Sequence, residues 1–284
     1  MNKKQLESKV NEFIIEKELE EKADKTVNHY KRVLNDFLSV LPDDKEITKE
    51  EALLFKKHLQ AAEYEATTYN NYVTVINSFF KFCEFEKMYL KKNKIQQQGS
   101  LEDVLEPIDY KRLMRWAKRL GMEECRMIMY SLAETGARIA ELKFFTVEAI
   151  KTSSFVEVNN KGKTRKLILR NDLRKELKKY ASSKGIKTGL IFRGRKDPTK
   201  PAAEATIWRD MKKVAGRAKV SKAKVHAHSF RHLFALRWID EGGSVTDLAD
   251  ILGHSRLETT RIYTKTTDEM KKKKIESMKY KGRN

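Results

Sequence analysis

The N-terminal third of the chain carries its apolar residues at helical intervals. Tyr69, Tyr72, Val73, Ile76, Phe79, Phe80 and Cys83 recur at three and four positions, which lays one broad stripe along a helix. Shorter stripes run through Val10, Phe13 and Ile14, and through Val27, Tyr30, Val33, Leu34 and Phe37. The turn sequence LPDDKEIT separates the second and third helices. Thr48, three residues before Glu51, has the spacing of a capping box and starts the third. Residues 1–90 therefore predict a bundle of about four helices.

The pattern breaks at LKKNKIQQQGSLEDVLEP, where a glutamine run, Gly99 and Pro107 predict a linker over residues 91–105. Helices are expected at about 107–120 and 123–136. The period then changes from helical to alternating: SFVEVNN and TRKLIL flank NKGK as a β-hairpin, and GLIFR is a candidate third strand. Helical spacing returns for the rest of the chain, which ends in the basic stretch DEMKKKKIESMKYKGRN. Met270, Ile275 and Met278 stand near helical spacing there, which suits either a docking helix or a solvated tail. The expected fold is mainly α with a small β-hairpin or three-stranded sheet. It has a helical bundle at 1–90 and a mixed α/β domain at 106–284.

Composition adds the partner. The 284 residues hold 60 Lys+Arg against 40 Asp+Glu, a net charge of +20, with a pI near 9.7. A surplus of that size suits a polyanion, because phosphates neutralised by lysine and arginine release condensed counterions. No run of about 20 apolar residues is present to span a membrane, and MNKKQLESKVNEF has no signal-peptide core. The two cysteines, Cys83 and Cys125, lie in apolar helical patterns without metal-ligand spacing, as expected of free thiols in a reducing cytoplasm.

Candidate chemistry clusters in four stretches. In AETGARIAELKFF, Arg138 follows a Thr-Gly break at a helix start, where its charge needs an anion or a partner such as Glu141 or Glu134. In NNKGKTRKL, Lys161 lies in the hairpin turn, with Lys163 two residues on. In HAHSFRHLFALRW, His228 and Arg231 share one helix face while Phe230, Leu233 and Phe234 point to the core; His232 reads as a core histidine. In LGHSRLETTRIYT and the segment just before it, Ser244 with Asp247 and then Ser255 with Glu258 open two successive helices, and Gly253 ends the first. His254 is thereby held in an elbow, with Tyr263 nine residues further on. Taken singly, each has an ordinary structural explanation: an ion pair, solvated turn lysines, a packed tyrosine.

Taken in order, Arg in TGAR…EL, Lys in a hairpin KGK, HxxRH, LGH and the tyrosine nine residues later resemble the tyrosine recombinase family. The resemblance covers about residues 107–265, and the N-terminal bundle resembles that family's core-binding domain in character only. Ala137, Phe230 and Ala227 depart from the commoner residues, and none removes a reacting group.

The resemblance implies a site-specific DNA recombinase of integrase or resolvase type, with Arg138, Lys161, His228, Arg231 and His254 as the catalytic set and Tyr263 as nucleophile. Lys163 is the alternative to Lys161. It implies double-stranded DNA with specific sites as substrate, a homotetramer on two sites with the C-terminal tail docked on a neighbour, and no metal or cofactor. A cytoplasmic location and no membrane association are expected. A type IB topoisomerase-like strand cleavage and a catalytically silent DNA-binding relative are the alternatives.

Overall fold

The stripes of the first third fold as the spacing predicts. Helix α1 (Lys3–Leu19) turns Leu6, Val10, Phe13 and Ile14 inward, and α2 (Asp24–Val40) meets them with Val27, Val33, Leu34 and Phe37. Helix α3 (Lys49–Ala61) opens with both halves of the capping box. The Thr48 hydroxyl oxygen accepts from Glu50 N–H at 3.2 Å, and Glu51 accepts from Thr48 N–H at 2.8 Å. Helix α4 (Ala66–Phe82) buries the broad stripe. Its Phe79 meets Phe13 edge-on at 5.5 Å between ring centroids, and Phe37 meets Phe55 at 5.2 Å, geometries that aromatic quadrupoles favour. The chain leaves past a 3-10 turn at Glu86–Met88. Asn77 and Asn70 of α4 each exchange two hydrogen bonds with the backbone of Leu90 and Asn93.

The computed structural model describes residues 1–43, 45–94, 104–160, 163–254, 256–264 and 276. The chain divides into two compact units, Met1–Gln97 and Gln98–Asn284. Most of the expected linker (95–103), Lys161, Ser255 and, Glu276 apart, the expected docking tail lie outside the described residues.

The second unit is built around α6 (Glu123–Thr135), which follows α5 (Pro107–Arg119). Cys125, Met127, Ile128, Met129, Leu132 and Ala133 are all buried on α6, so it runs through the core rather than over it. It ends at Gly136, whose φ of 62° is the left-handed cap that glycine adopts without strain. A 3-10 segment at Ile139–Phe144 leads to α7 (Val147–Thr152), capped by the Thr146 side chain. Strands β1 (Phe155–Asn160) and β2 (Lys163–Ile168) pair antiparallel, with Val156 opposite Leu167 and Val158 opposite Arg165. Val156, Val158 and Leu167 are buried while Phe155 and Ile168 are exposed, the alternation a one-sided sheet requires.

The expected third strand does not form. Leu190 makes a single bridge to Thr146 and Arg193 one to Pro201. Ile191 and Phe192 are buried, which is why the segment reads as a strand, but its backbone is engaged at the start of α7: Ile191 N–H donates to Phe145 and Gly189 accepts from Val147 N–H. Among the described residues the sheet therefore has two strands.

Helices α8 (Asn171–Ser183) and α9 (Glu204–Ala218) complete this core with Leu173, Leu177, Ile207, Met211 and Val214. The last third runs through α10 (Ala227–Asp240) and α11 (Val245–Leu252) to α12 (Glu258–Arg261) and a 3-10 turn at Ile262–Thr264. No helix among the described residues is long and apolar enough to cross a membrane.

Candidate active site

Three local devices place the candidate residues. Gly136 reverses the chain after α6, so Arg138 leaves the helix in extended conformation (φ −79°, ψ 153°) at the head of the 3-10 segment. No Cβ fits at Gly136: one built there meets Leu252 at 2.7 Å and Phe234 at 2.8 Å. The His226 side chain caps α10, its Nδ1 accepting from Ser229 N–H at 3.3 Å, which sets His228 and Arg231 in the first turns. Ser244 caps α11 by accepting from Asp247 N–H at 3.1 Å, and Gly253 (φ 64°) ends it, so His254 begins the elbow as the spacing predicts. The second helix start differs. It begins at Glu258 without a side-chain cap and runs one turn before the 3-10 turn that carries Tyr263.

Arg231 is the centre of the arrangement. It is 1% exposed, and it donates to Gly136 O and Leu252 O, each at 2.6 Å, and to His254 Nε2 at 3.0 Å. A guanidinium has no acceptor, so His254 Nε2 must carry the lone pair and the ring proton lies on Nδ1, which donates to Thr260 Oγ1 at 2.7 Å. His254 is thus neutral. Burial, helped by the charges of Arg231, Arg138 and Arg165, pushes its pKa down to about 4. Burial, then the neighbouring charges of Arg138 and Arg165, pulls Arg231 down to about 9.

Arg138 stands beside it, half-buried. It donates to Glu141 Oε1 at 3.1 Å and to Gly253 O at 3.3 Å, and its backbone N–H donates to Glu141 Oε2 at 2.7 Å. Of the two carboxylates open to it in the sequence, Glu141 is the partner; Glu134 pairs with Arg170 and Arg237 instead. His228 and Tyr263 are linked through His232. The His228 and His232 rings lie 4.4 Å apart and the His232 and Tyr263 rings 5.2 Å apart. Burial, with Arg231, His226 and Arg138, lowers the His228 pKa, which keeps this imidazole able to accept a proton. Tyr263 is 4% exposed; burial raises its pKa, and Arg231 opposes that.

The structure therefore brings Arg138, His228, Arg231, His254 and Tyr263 to one place from α6's end, α10, the elbow and the last 3-10 turn. Two residues were not singled out in the sequence: Thr260, fully buried, holds His254, and Arg165 of β2 binds Glu141 at 2.7 Å. His232, expected as a core histidine, spaces His228 from Tyr263. Arg165 had a readable signal: it alternates with Leu167 and Leu169, so the strand period puts its charge on the buried face. Among the described residues no three His, Cys, Asp or Glu side chains converge as a metal-ligand set.

Known proteins resemble this chain along most of its length. Tyrosine recombinase XerA of Pyrococcus furiosus is 29% identical over 283 residues, covering 97% of this chain and 96% of the relative. In fold, the Tn1549 transposon integrase in complex with circular intermediate DNA aligns with a TM-score of 0.74 at 15% identity, over 97% of this chain and 99% of the other. A lambda integrase dimer bound to a COC' core site aligns with a TM-score of 0.74 at 16% identity, over 90% and 94%. The sequence profile of the phage integrase family matches residues 103–270. With that match over more than half of its length, the chain belongs to the phage integrase family, the tyrosine recombinases, enzymes of site-specific DNA recombination.

Proposed function

We propose that this recombinase cleaves and rejoins duplex DNA through a 3′-phosphotyrosyl intermediate on Tyr263. The observation that carries the reading is the buried Arg231 guanidinium, bonded to His254 Nε2 and to the Gly136 and Leu252 carbonyls, with the charge of Arg138 near enough to lower its pKa; such paired guanidiniums suit a phosphate. The Tyr263 oxygen attacks the scissile phosphorus while its proton passes to His228. The bond from phosphorus to the 5′ oxygen breaks, and Lys161 protonates the departing oxygen. Charge gathers on the non-bridging oxygens in the transition state. Arg138 and Arg231 donate there, each such donor contributing about 3–4 kcal/mol by the measure of oxyanion holes. The 5′-hydroxyl of a second strand then attacks the phosphotyrosine, and the same steps run in reverse. Because the bond energy is stored in the ester, no high-energy cofactor is required.

Two adjustments follow from the geometry. Arg138 and Arg231 spend donors on the backbone carbonyls of Gly253, Leu252 and Gly136, and these must be shared with the phosphate. Tyr263 is packed against Leu248, Leu252 and Ala235, so its 3-10 turn must loosen for the hydroxyl to reach the phosphorus. In this reading the bundle at 1–90 and the catalytic domain at 106–284 close on duplex DNA as a clamp, with basic faces on phosphates. Four copies act on two sites in the cytoplasm, each tail docking on a neighbour.

The test uses nicked duplexes tiled from the DNA that flanks the protein's own gene. The expected result is a denaturation-resistant protein–DNA adduct with the wild-type chain and none with Tyr263→Phe. DNA binding without an adduct on any tile would return the reading to a binding-only relative.

A further inference from the structure

The C-terminal end of α11 raises an accounting question. A helix leaves its last carbonyls without partners inside the helix, and they carry the negative end of its dipole. Here each has a distinct donor. Ala249 O accepts from His254 N–H at 2.9 Å and Asp250 O from Gly253 N–H at 3.0 Å. The next three carbonyls take one arginine each: Ile251 from Arg165, Leu252 from Arg231 and Gly253 from Arg138. Two of these arginines belong to the proposed phosphate cradle. The third does not.

Arg165 is placed differently from the other two. Its side chain is 12% exposed, and it spans from the Ile251 carbonyl to Glu141 Oε2 at 2.7 Å. Glu141 is 1% exposed and holds Arg138 through its other oxygen at 3.1 Å. Gly253 is shaped to this stem, since a Cβ built there would lie 2.7 Å from Arg165 Cδ. One side chain thus ties β2 to the carboxylate that orients Arg138 and to the helix end that leads into His254.

We propose that Arg165 is a positioning residue for strand cleavage: it fixes Arg138 through Glu141 and fixes the His254 elbow through the Ile251 carbonyl. The inference rests on the reading of Arg138 as a ligand of the scissile phosphate. When Arg138 and Arg231 turn toward a phosphate, Arg165 stays on Ile251 O and keeps the end of α11 capped. Without it, Glu141 retains one cationic partner and is free to rotate with Arg138.

The experiment compares two duplexes carrying the cleavage site mapped by the adduct assay. One has the natural phosphodiester; the other has an uncharged methylphosphonate at the scissile position, which needs less guanidinium stabilisation. Arg138→Ala is expected to lose cleavage on the phosphodiester and regain it on the methylphosphonate. Arg165→Met is expected to do the same to a smaller degree, a loss of about ten-fold or more, with DNA affinity unchanged. Arg165→Lys keeps a cation but cannot span both partners. It is expected to fall between Arg165→Met and wild type, and it carries the test should Arg165→Met not fold. Wild-type cleavage of the phosphodiester by folded Arg165 variants overturns the proposal. So does a loss that is equal on both duplexes while Arg138→Ala is rescued, which makes Arg165 a support of the fold alone. If Arg138→Ala is not rescued, the reading of Arg138 fails and the inference falls with it.

Discussion

The two units of the chain fill their interiors with different chemistry. Among the described residues of the bundle, Glu51 is the one buried charged group, and its carboxylate is held by Thr48 at a helix start. The remainder of that core is aliphatic and aromatic. The second unit buries Arg231, Glu141, Ser131, Thr135, Ser229 and Thr260. Taking an ion out of water costs several kcal/mol unless hydrogen bonds replace the solvent. Arg231 recovers that cost from two carbonyls and an imidazole, and Glu141 from two arginines and an amide. An apolar core yields stability by area, whereas this one holds charges in fixed directions. The difference shows which unit is constrained by chemistry.

Substitutions can break that contrast. The largest expected effect is from Tyr263→Phe, which keeps the ring against Leu248 and Leu252 but removes the oxygen. Adduct formation should vanish while affinity for DNA and its salt dependence stay the same, as gel assays at several salt concentrations would show. Next comes a pair read side by side. Arg231→Lys should slow single-turnover cleavage about 10²–10³-fold, the loss seen when a preorganised donor is removed. Phe37→Ala in the bundle should cost about 3–5 kcal/mol of stability and leave the cleavage rate of folded, DNA-saturated protein near wild type. Equal effects on chemistry would erase the distinction between the units.

A smaller effect is expected from Gly253→Ala. The left-handed φ and the contact with Arg165 both oppose a methyl group there, so stability should fall by about 1 kcal/mol or more and cleavage should slow as His254 shifts. Denaturant melts beside single-turnover rates would separate the two. The smallest effect is on pH dependence. Burial first, and then neighbouring charge, pushes His232 and His254 from 6.5 down to about 4. Above pH 6.5 both are neutral folded and unfolded alike, so their stability contribution is full. As the pH falls from about 6.5 toward about 4, the unfolded chain takes up protons that the folded one resists, and stability declines. All three tryptophans, Trp116, Trp208 and Trp238, lie in the second unit, so their fluorescence in urea titrations follows that unit. A flat response between those pH values would show that the two imidazoles are not held neutral by burial.

Helical spacing located α1 to α6, and local punctuation marked particular ends: Thr48 opens α3, Gly136 closes α6, and Ser244 and Gly253 bound α11. The third strand was misread because Ile191 and Phe192 are buried for a different reason, next to the start of α7. A short apolar run looks the same whichever neighbour covers it. The start of α12 was placed too early: the helix begins at Glu258 without a side-chain cap, because capping residues report only a local preference.

The sequence by itself determined which groups this protein has available: two arginines, the histidines and a tyrosine in a fixed order, each beside a turn or cap that sets its local direction. Tertiary structure decided which of them meet. Arg138 and Gly253 are 115 positions apart, and Arg231 and Gly136 are 95 apart. No local rule reaches across such distances. The end of α11 is where they converge, because three carbonyls left over by a helix need donors and buried guanidiniums need acceptors. That mutual requirement, rather than any single motif, puts Arg165 beside Glu141 and sets the tautomer of His254.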